Sequence, residues 1–151
     1  KIHPGGIDDF RTAFAQFVAE HHSVRPGESE LNVDAEIRLG DLSVRSVTDL
    51  ERLGPFGAHN PRPVFVASNV QLASPPKKMG EGERHLSIQV RQFGETLRGV
   101  AFGKGDWADE LAQVTGPISI CFQPTINRFQ QREKVEFQLL DWHQGDAGGL
   151  I

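Results

Sequence analysis

The sequence predicts a mainly β fold with flanking helices, and three observations carry that reading. From Val64 onward, short segments alternate apolar and polar residues, the period of half-buried strands. A helical stretch with a candidate cap interrupts them after the third segment. Upstream, "LGPFGAHNPRPVF" (53–65) packs three prolines and two glycines between a helical first part and the strand-rich second part. Three strands, a short helix and two strands within about 80 residues is the β-β-β-α-β-β order of the five-stranded, partly open OB-fold barrel. A small β-sandwich or an SH3-like barrel is the rival, and neither normally needs a helix at that place.

The elements follow in order. In "IDDFRTAFAQFVAEHH" (7–22), Phe10, Ala13, Phe14, Phe17 and Val18 recur at helical spacing and make one apolar face. Asp8 and Asp9 suit the first turn, and His21 and His22 suit the last. "LNVDAEIRL" (31–39) alternates as an extended segment with Leu31, Val33, Ala35, Ile37 and Leu39 on a buried face. "LSVRSVTDLERL" (42–53) is a helix with Ser43 as N-cap and Leu42, Val47, Leu50 and Leu53 inward, ended by Gly54-Pro55.

The strands then begin. "VFVASNVQLA" (64–73) places Val64, Val66, Val70 and Leu72 on one side, and "HLSIQVRQF" (85–93) does so with Leu86, Ile88 and Val90. "TLRGVAF" (96–102) follows Gly94-Glu95, read as a two-residue turn. Asp106 caps a short helix whose Trp107, Leu111 and Val114 share a face. "ISICFQPTI" (118–126) and "KVEFQLLDW" (134–142) complete the set, with Ile118, Ile120, Phe122 and Val135, Phe137, Leu139 inward. The tail from 145 is expected to be flexible.

Composition limits the function classes. The net charge is −4 over 151 residues, which argues against strong non-specific nucleic-acid binding by the whole surface. The distribution is uneven. Residues 1–73 carry 7 basic and 10 acidic side chains, residues 74–134 carry 9 and 7, and residues 135–151 carry 0 and 3, so only the middle is positive. No apolar run is long enough to span a membrane, and no signal peptide follows Lys1. The missing initiator Met suggests a piece of a longer chain. The single cysteine, Cys121, excludes an internal disulfide, fits a reducing, cytoplasmic compartment and reads as a small core-adjacent residue. The six histidines make no metal-ligand spacing, and no phosphate loop, serine elbow or paired-aspartate motif occurs.

Three places carry binding chemistry. The assumed Gly94-Glu95 turn sets Arg91 directly opposite Arg98 on the outer face. Like charges so placed destabilise a sheet, whereas an anion between them would bind; two guanidiniums splayed into water is the competing reading. The loop "SPPKKMGEGERH" offers Lys77, Lys78 and Arg84 to a phosphate backbone, diluted by Glu81 and Glu83, and a solvated loop is its default. In "NRFQQREK", Phe129 has no periodic core role. With Arg128 and Arg132 beside it, the ring suits stacking on a base, or else folds back over the barrel end.

"LGPFGAHNPRPVF" resembles the PFG-x-x-NP-x-PVF signature of the RecJ family, bacterial single-stranded-DNA-specific exonucleases of the DHH phosphoesterase superfamily. "VDAEIRLGDL" before "VTDLERLGPFG" and the closing "KVEFQLLDW" support the resemblance, which covers almost all of residues 7–143. The family usually has Gly where this chain has His59, and often Trp where it has Phe129. The aspartate motifs of the nuclease core are absent. The resemblance implies a helix closing a preceding DHH-associated domain (1–25), a connector (26–62), an OB domain (63–144) and a tail (145–151). In the connector Pro55, Phe56, Gly57, Asn60, Pro61 and Pro63 are structural: Pro55 sets a turn, Phe56 packs at the junction and Gly57 permits a turn an ordinary residue would resist. It also implies a strand of single-stranded DNA held by the OB domain and fed to a nuclease site elsewhere. This chain alone would then be inactive and hold no cofactor, with Mn²⁺ or Mg²⁺ in the nuclease core. Single-strand-binding or repair proteins are further expected partners, and an OB module that docks such a protein, without holding DNA, is the alternative.

Overall fold

The computed structural model describes residues 6–21 and 31–145. Its backbone separates into two compact units between Leu31 and Asn32. The expected tail and His22 lie outside the described residues. The first unit contributes α1 (Ile7–His21), whose first turn carries Asp8 and Asp9 as expected. Ile7, Phe10, Phe14 and Phe17 are exposed on it, and the Phe10 and Phe14 rings stack at 5.7 Å.

The second unit is one seven-stranded sheet with short helices, where a sandwich would have two sheets. In chain order it comprises β1 (Ala35–Glu36), a 3-10 turn (Leu39–Asp41), α2 (Val44–Glu51), β2 (Phe65–Leu72), β3 (Lys77–Met79), β4 (His85–Gln92), β5 (Glu95–Ala101), α3 (Trp107–Ala112), β6 (Ile118–Phe129) and β7 (Arg132–Gln144). The sheet order is β1-β2-β6-β7-β5-β4-β3, and β4 pairs again with β2, so the pairing path returns to where it began. Seven strands stand where five were expected, because segments of two and three residues, β1 and β3, join the ladders at either edge.

Side-chain alternation builds the core. Leu86, Ile88 and Val90 of β4, Ala101 of β5, Ile118, Ile120 and Phe122 of β6, and Phe137 and Leu139 of β7 are all buried in one cluster with Leu111 of α3. Gly99 of β5 belongs to it through absence: a Cβ there would fall inside the buried Phe137 ring. Strand β2 departs from its expected facing. Phe65 and Ala67 join Val70 and Leu72 in the main core, while Val64 and Val66 form a second cluster with Cys121, flanked by Val33 and Leu140. A bulge between Ala67 and Val70, with Asn69 at φ 56°, inserts one residue and reverses the alternation.

The segment before β2 belongs to the same unit as the strands. β1 runs parallel to β2, and the Asp34 carboxylate accepts from Val64 N at 2.8 Å. Of the expected extended segment only Ala35–Glu36 is strand; Leu39 is buried, whereas Leu31 and Ala35 are exposed. The buried Gln92 amide ties this segment down: Leu39 N donates to its Oε1 at 2.8 Å, and its Nε2 donates to the Ser68 carbonyl at 2.6 Å. Ser43 caps α2 as expected, accepting from Ser46 N at 3.0 Å while Ser46 Oγ accepts from Ser43 N. Leu53 lies beyond that helix and is exposed, which corrects its expected place on the inner face. Asp106 precedes α3 in helical conformation and makes no side-chain cap, a second correction.

The proline-rich connector joins α2 to β2 within this unit. The Gly54-Pro55 bond is cis. Asn60 Nδ2 donates to the carbonyls of Leu53 (2.9 Å) and Pro55 (3.1 Å), and its backbone pairs with Gly57. The Phe56 ring lies under the Arg62 guanidinium at 4.7 Å and, with Val47, Leu50, Pro63 and Pro124, lines a small cavity between α2 and β6. Pro61 is exposed. Gly57 lacks a positive φ, and a Cβ there would meet nothing within 4 Å, so the special conformation expected of it is not needed.

Candidate nucleic-acid interface

Strand register decides which polar side chains meet. The β4–β5 hairpin turns at Phe93-Gly94, both with positive φ (48° and 93°), the signature of a type I′ turn. The expected turn at Gly94-Glu95 is therefore one residue off. Arg91 pairs with Thr96, and Arg98 pairs with Gln89, so the two arginines do not oppose each other. Moving the turn by one residue changes each partner by two. That preserves the faces, and Arg91 and Arg98 still share the outer side as diagonal neighbours.

Further rows extend this face. On β3, Lys77 pairs with Ser87 of β4, so it lies on the outer side. Lys78 pairs with Leu86 and points the other way, where its Nζ meets the Asp109 carboxylate of α3 at 2.7 Å. That hydrogen bond raises the Lys78 pKa. The two lysines expected in a loop thus sit on a strand, on opposite sides of it. Arg84 stays in the loop, exposed, its Nε donating to the Glu81 carbonyl at 3.1 Å.

Across the parallel β5–β7 ladder, Arg98 pairs with Glu136. Its Nη1 donates to both Glu136 oxygens at 3.1 and 3.2 Å, and Asn127 Nδ2 donates to Oε1 at 3.0 Å. From Glu136 toward the β6–β7 turn the same side of β7 presents Lys134 and Arg132, opposed by Asn127 and Phe129 of β6. These residues, with Gln130, line a cleft of about 250 Å³. Gln130 and Gln131 both have positive φ (49° and 59°), so this hairpin also closes in two residues, and Phe129 belongs to the strand. Its ring is 67% exposed.

Arg128 does not converge with Arg132. It alternates to the other side of the hairpin, pairs with Glu133 (2.9 Å) and reaches Glu51 of α2 (3.3 Å). Those two carboxylates raise its pKa, Glu133 most. Between β3 and the β6–β7 turn the outer side therefore gathers Lys77, Arg91, Arg98, Arg132 and Lys134 around Glu136, while Asp141 of β7 and Glu36 of β1 lie farther along the same side. Lys134 was not singled out from the sequence, although inward-facing Phe137 on the same strand already puts it on the outer side.

A family profile described as the RecJ OB domain matches residues 33–141. The chain belongs to the RecJ OB domain family. Among curated proteins it is 28% identical over 109 residues to the single-stranded-DNA-specific exonuclease RecJ of Bacillus subtilis (strain 168), which covers 72% of this chain and 14% of that protein. It is 26% identical over 134 residues to the RecJ of Dickeya dadantii (strain 3937), covering 86% of this chain and 22% of that one. The chain thus spans less than a quarter of the length of these relatives. The crystal structure of RecJ from Thermus thermophilus in complex with Mg²⁺ superposes with a TM-score of 0.59 at 20% identity, over 97% of this chain and 21% of that one. A second crystal structure of that protein, in complex with Mn²⁺, matches equally. The RecJ OB domain match begins at residue 33, so it takes in the β1 segment, α2 and the connector along with the longer strands.

Proposed function

We propose that this chain is the single-stranded-DNA-binding portion of a RecJ-type 5′→3′ exonuclease acting in cytoplasmic DNA repair and recombination. The observation that carries this reading is the stretch of outer side from β3 to the β6–β7 turn, where five cations gather around Glu136 on a chain of net charge −4. Phosphates meet Lys77, Arg91, Arg132 and Lys134, and a base stacks on Phe129. Arg98 joins them when a phosphate competes it away from Glu136. In this reading β2, β4, β5, β6 and β7 are the five strands of an OB barrel, which their returning pairing path supports. The apolar face of α1 then packs against the DHH-associated part of the longer protein. Lys78 and Arg128 are structural rather than DNA-binding in this reading, since each points to the other side of its strand, where a carboxylate holds it.

Among the described residues no group of His, Cys, Asp and Glu converges to hold a metal ion, and no helix is long and apolar enough to cross a membrane. These residues do not fit a Mn²⁺ or Mg²⁺ site, and hydrolysis belongs to the remainder of the enzyme. The test is equilibrium binding of fluorescein-labelled dT15 to the full chain. Binding is expected at low salt, and Arg132→Ala with Lys134→Ala is expected to weaken it at least tenfold. A chain that fails to bind dT15 at low salt, or whose binding ignores both substitutions, is instead a protein-docking module.

A further inference from the structure

A second exposed ring stands at the opposite end of the same outer side. Phe102 directly follows β5 and is 60% exposed. His85 lies on the outer side of β4, alternating with Ser87, Gln89 and Arg91. The two rings meet edge to face, 5.5 Å apart at 77°. His85 is itself fixed: its Nδ1 accepts from Gly103 N at 2.9 Å, and a Cβ on Gly80 would come within 2.8 Å of its Cδ2. Phe102 thus has a rigid neighbour at its edge, and the exposed remainder of its surface contributes nothing to the core.

The placement relates this ring to Phe129. β5 and β7 are parallel, with Arg98 beside Glu136. Four residues of β5 lead from Phe102 back to Arg98, and four of β7 lead in the same direction from Glu136 to Arg132, the partner of Phe129. Eight residues at about 3.3 Å each separate the rings by on the order of 25 Å. Arg98, Glu136 and Lys134 lie along that path, and Lys77 lies two strands to its side, on β3.

We infer that Phe102, positioned by His85, is a second base-stacking site, and that one DNA strand is stretched between it and Phe129 with its phosphates on the cations between. The inference rests on the single-stranded-DNA reading and adds to it a second anchor and a minimum length of several nucleotides. A ring at each end fixes where the strand enters and leaves, while the intervening charges read no sequence.

The test uses the full chain and dT15. Phe102→Ala is expected to weaken binding about 5- to 100-fold, as Phe129→Ala does, and Phe102→Trp to restore it. On the unsubstituted chain, dT15 carrying one 5-iodouracil near either end is expected to photocrosslink to Phe102 from one end and to Phe129 from the other. If the chain binds dT15 through Phe129 and Arg132 but Phe102→Ala changes nothing and no crosslink reaches Phe102, the second anchor is overturned and the DNA reading stands. If the chain does not bind dT15 at all, both fall together.

Discussion

Glu136 is the residue with the most leverage over the proposed interface. It holds Arg98 through both carboxylate oxygens and stands among the cations of the outer side. A DNA strand passing there must compete with it for Arg98. Glu136→Gln keeps the shape, halves the grip on Arg98 and removes the repulsion, so dT15 affinity is expected to rise several-fold by fluorescence anisotropy. Unchanged or weaker binding would mean that the strand does not pass Arg98. The pair is partly solvated, so the stability cost is expected to stay within about 1 kcal/mol. Cys121 gives a second residue-scale prediction. Burial first, then Asp141, pushes its thiol from an ordinary 9.0 up to about 11. The folded state therefore holds this proton more tightly than the unfolded one, a contribution complete below pH 9 and lost as pH rises toward 11. Denaturant titrations at pH 8 and pH 11 should differ by about 2–3 kcal/mol more for the parent than for Cys121→Ala, since two pKa units are worth that much.

At the scale of elements, the hairpins show what pattern discloses and what it conceals. The period-two alternation in "HLSIQVRQF" and "TLRGVAF" was legible, and so was the side on which Arg91 and Arg98 lie, because core-facing Leu86, Ile88 and Val90 fix the opposite face. The turn itself was not legible. Gly94 invited a turn beginning with glycine, but the structure places Phe93 in the left-handed region where Asn or Gly is usual. Gln92 faces inward in either register, and with the turn at 93–94 it is the last residue of β4, its amide bonded to Leu39 and Ser68. Phe93→Asn is accordingly expected to stabilise the fold by about 0.5–1 kcal/mol in thermal denaturation, net of the stacking contact with Arg38. The bulge in β2 escaped for the same kind of reason. Asn69 tolerates a positive φ, but nothing in "VFVASNVQLA" says that it adopts one. Gly99→Ala, in contrast, is expected to cost more than about 3 kcal/mol or to prevent folding, since the buried Phe137 ring has nowhere to move.

For the whole molecule, net charge misleads and charge placement informs. Carboxylates outnumber cations by four, yet the register gathers five cations on one face and turns Glu133 to the other side, against Arg128. The association of dT15 should therefore weaken with salt as if roughly three to four phosphates were neutralised, a log–log slope near −2 to −3 for a single strand. A slope near zero in anisotropy titrations between about 20 and 200 mM salt would remove the electrostatic basis of the reading.

The Gln92 amide has one more consequence, for the smallest piece of this chain able to stand alone. A clone started at Pro63, where the long strands begin, would discard Leu39 from the core and take from the Gln92 amide its Leu39 partner, besides baring the edge of β2 that β1 covers. Such a clone should precipitate or melt far below one started at Asn32, although both keep every residue of the proposed DNA path.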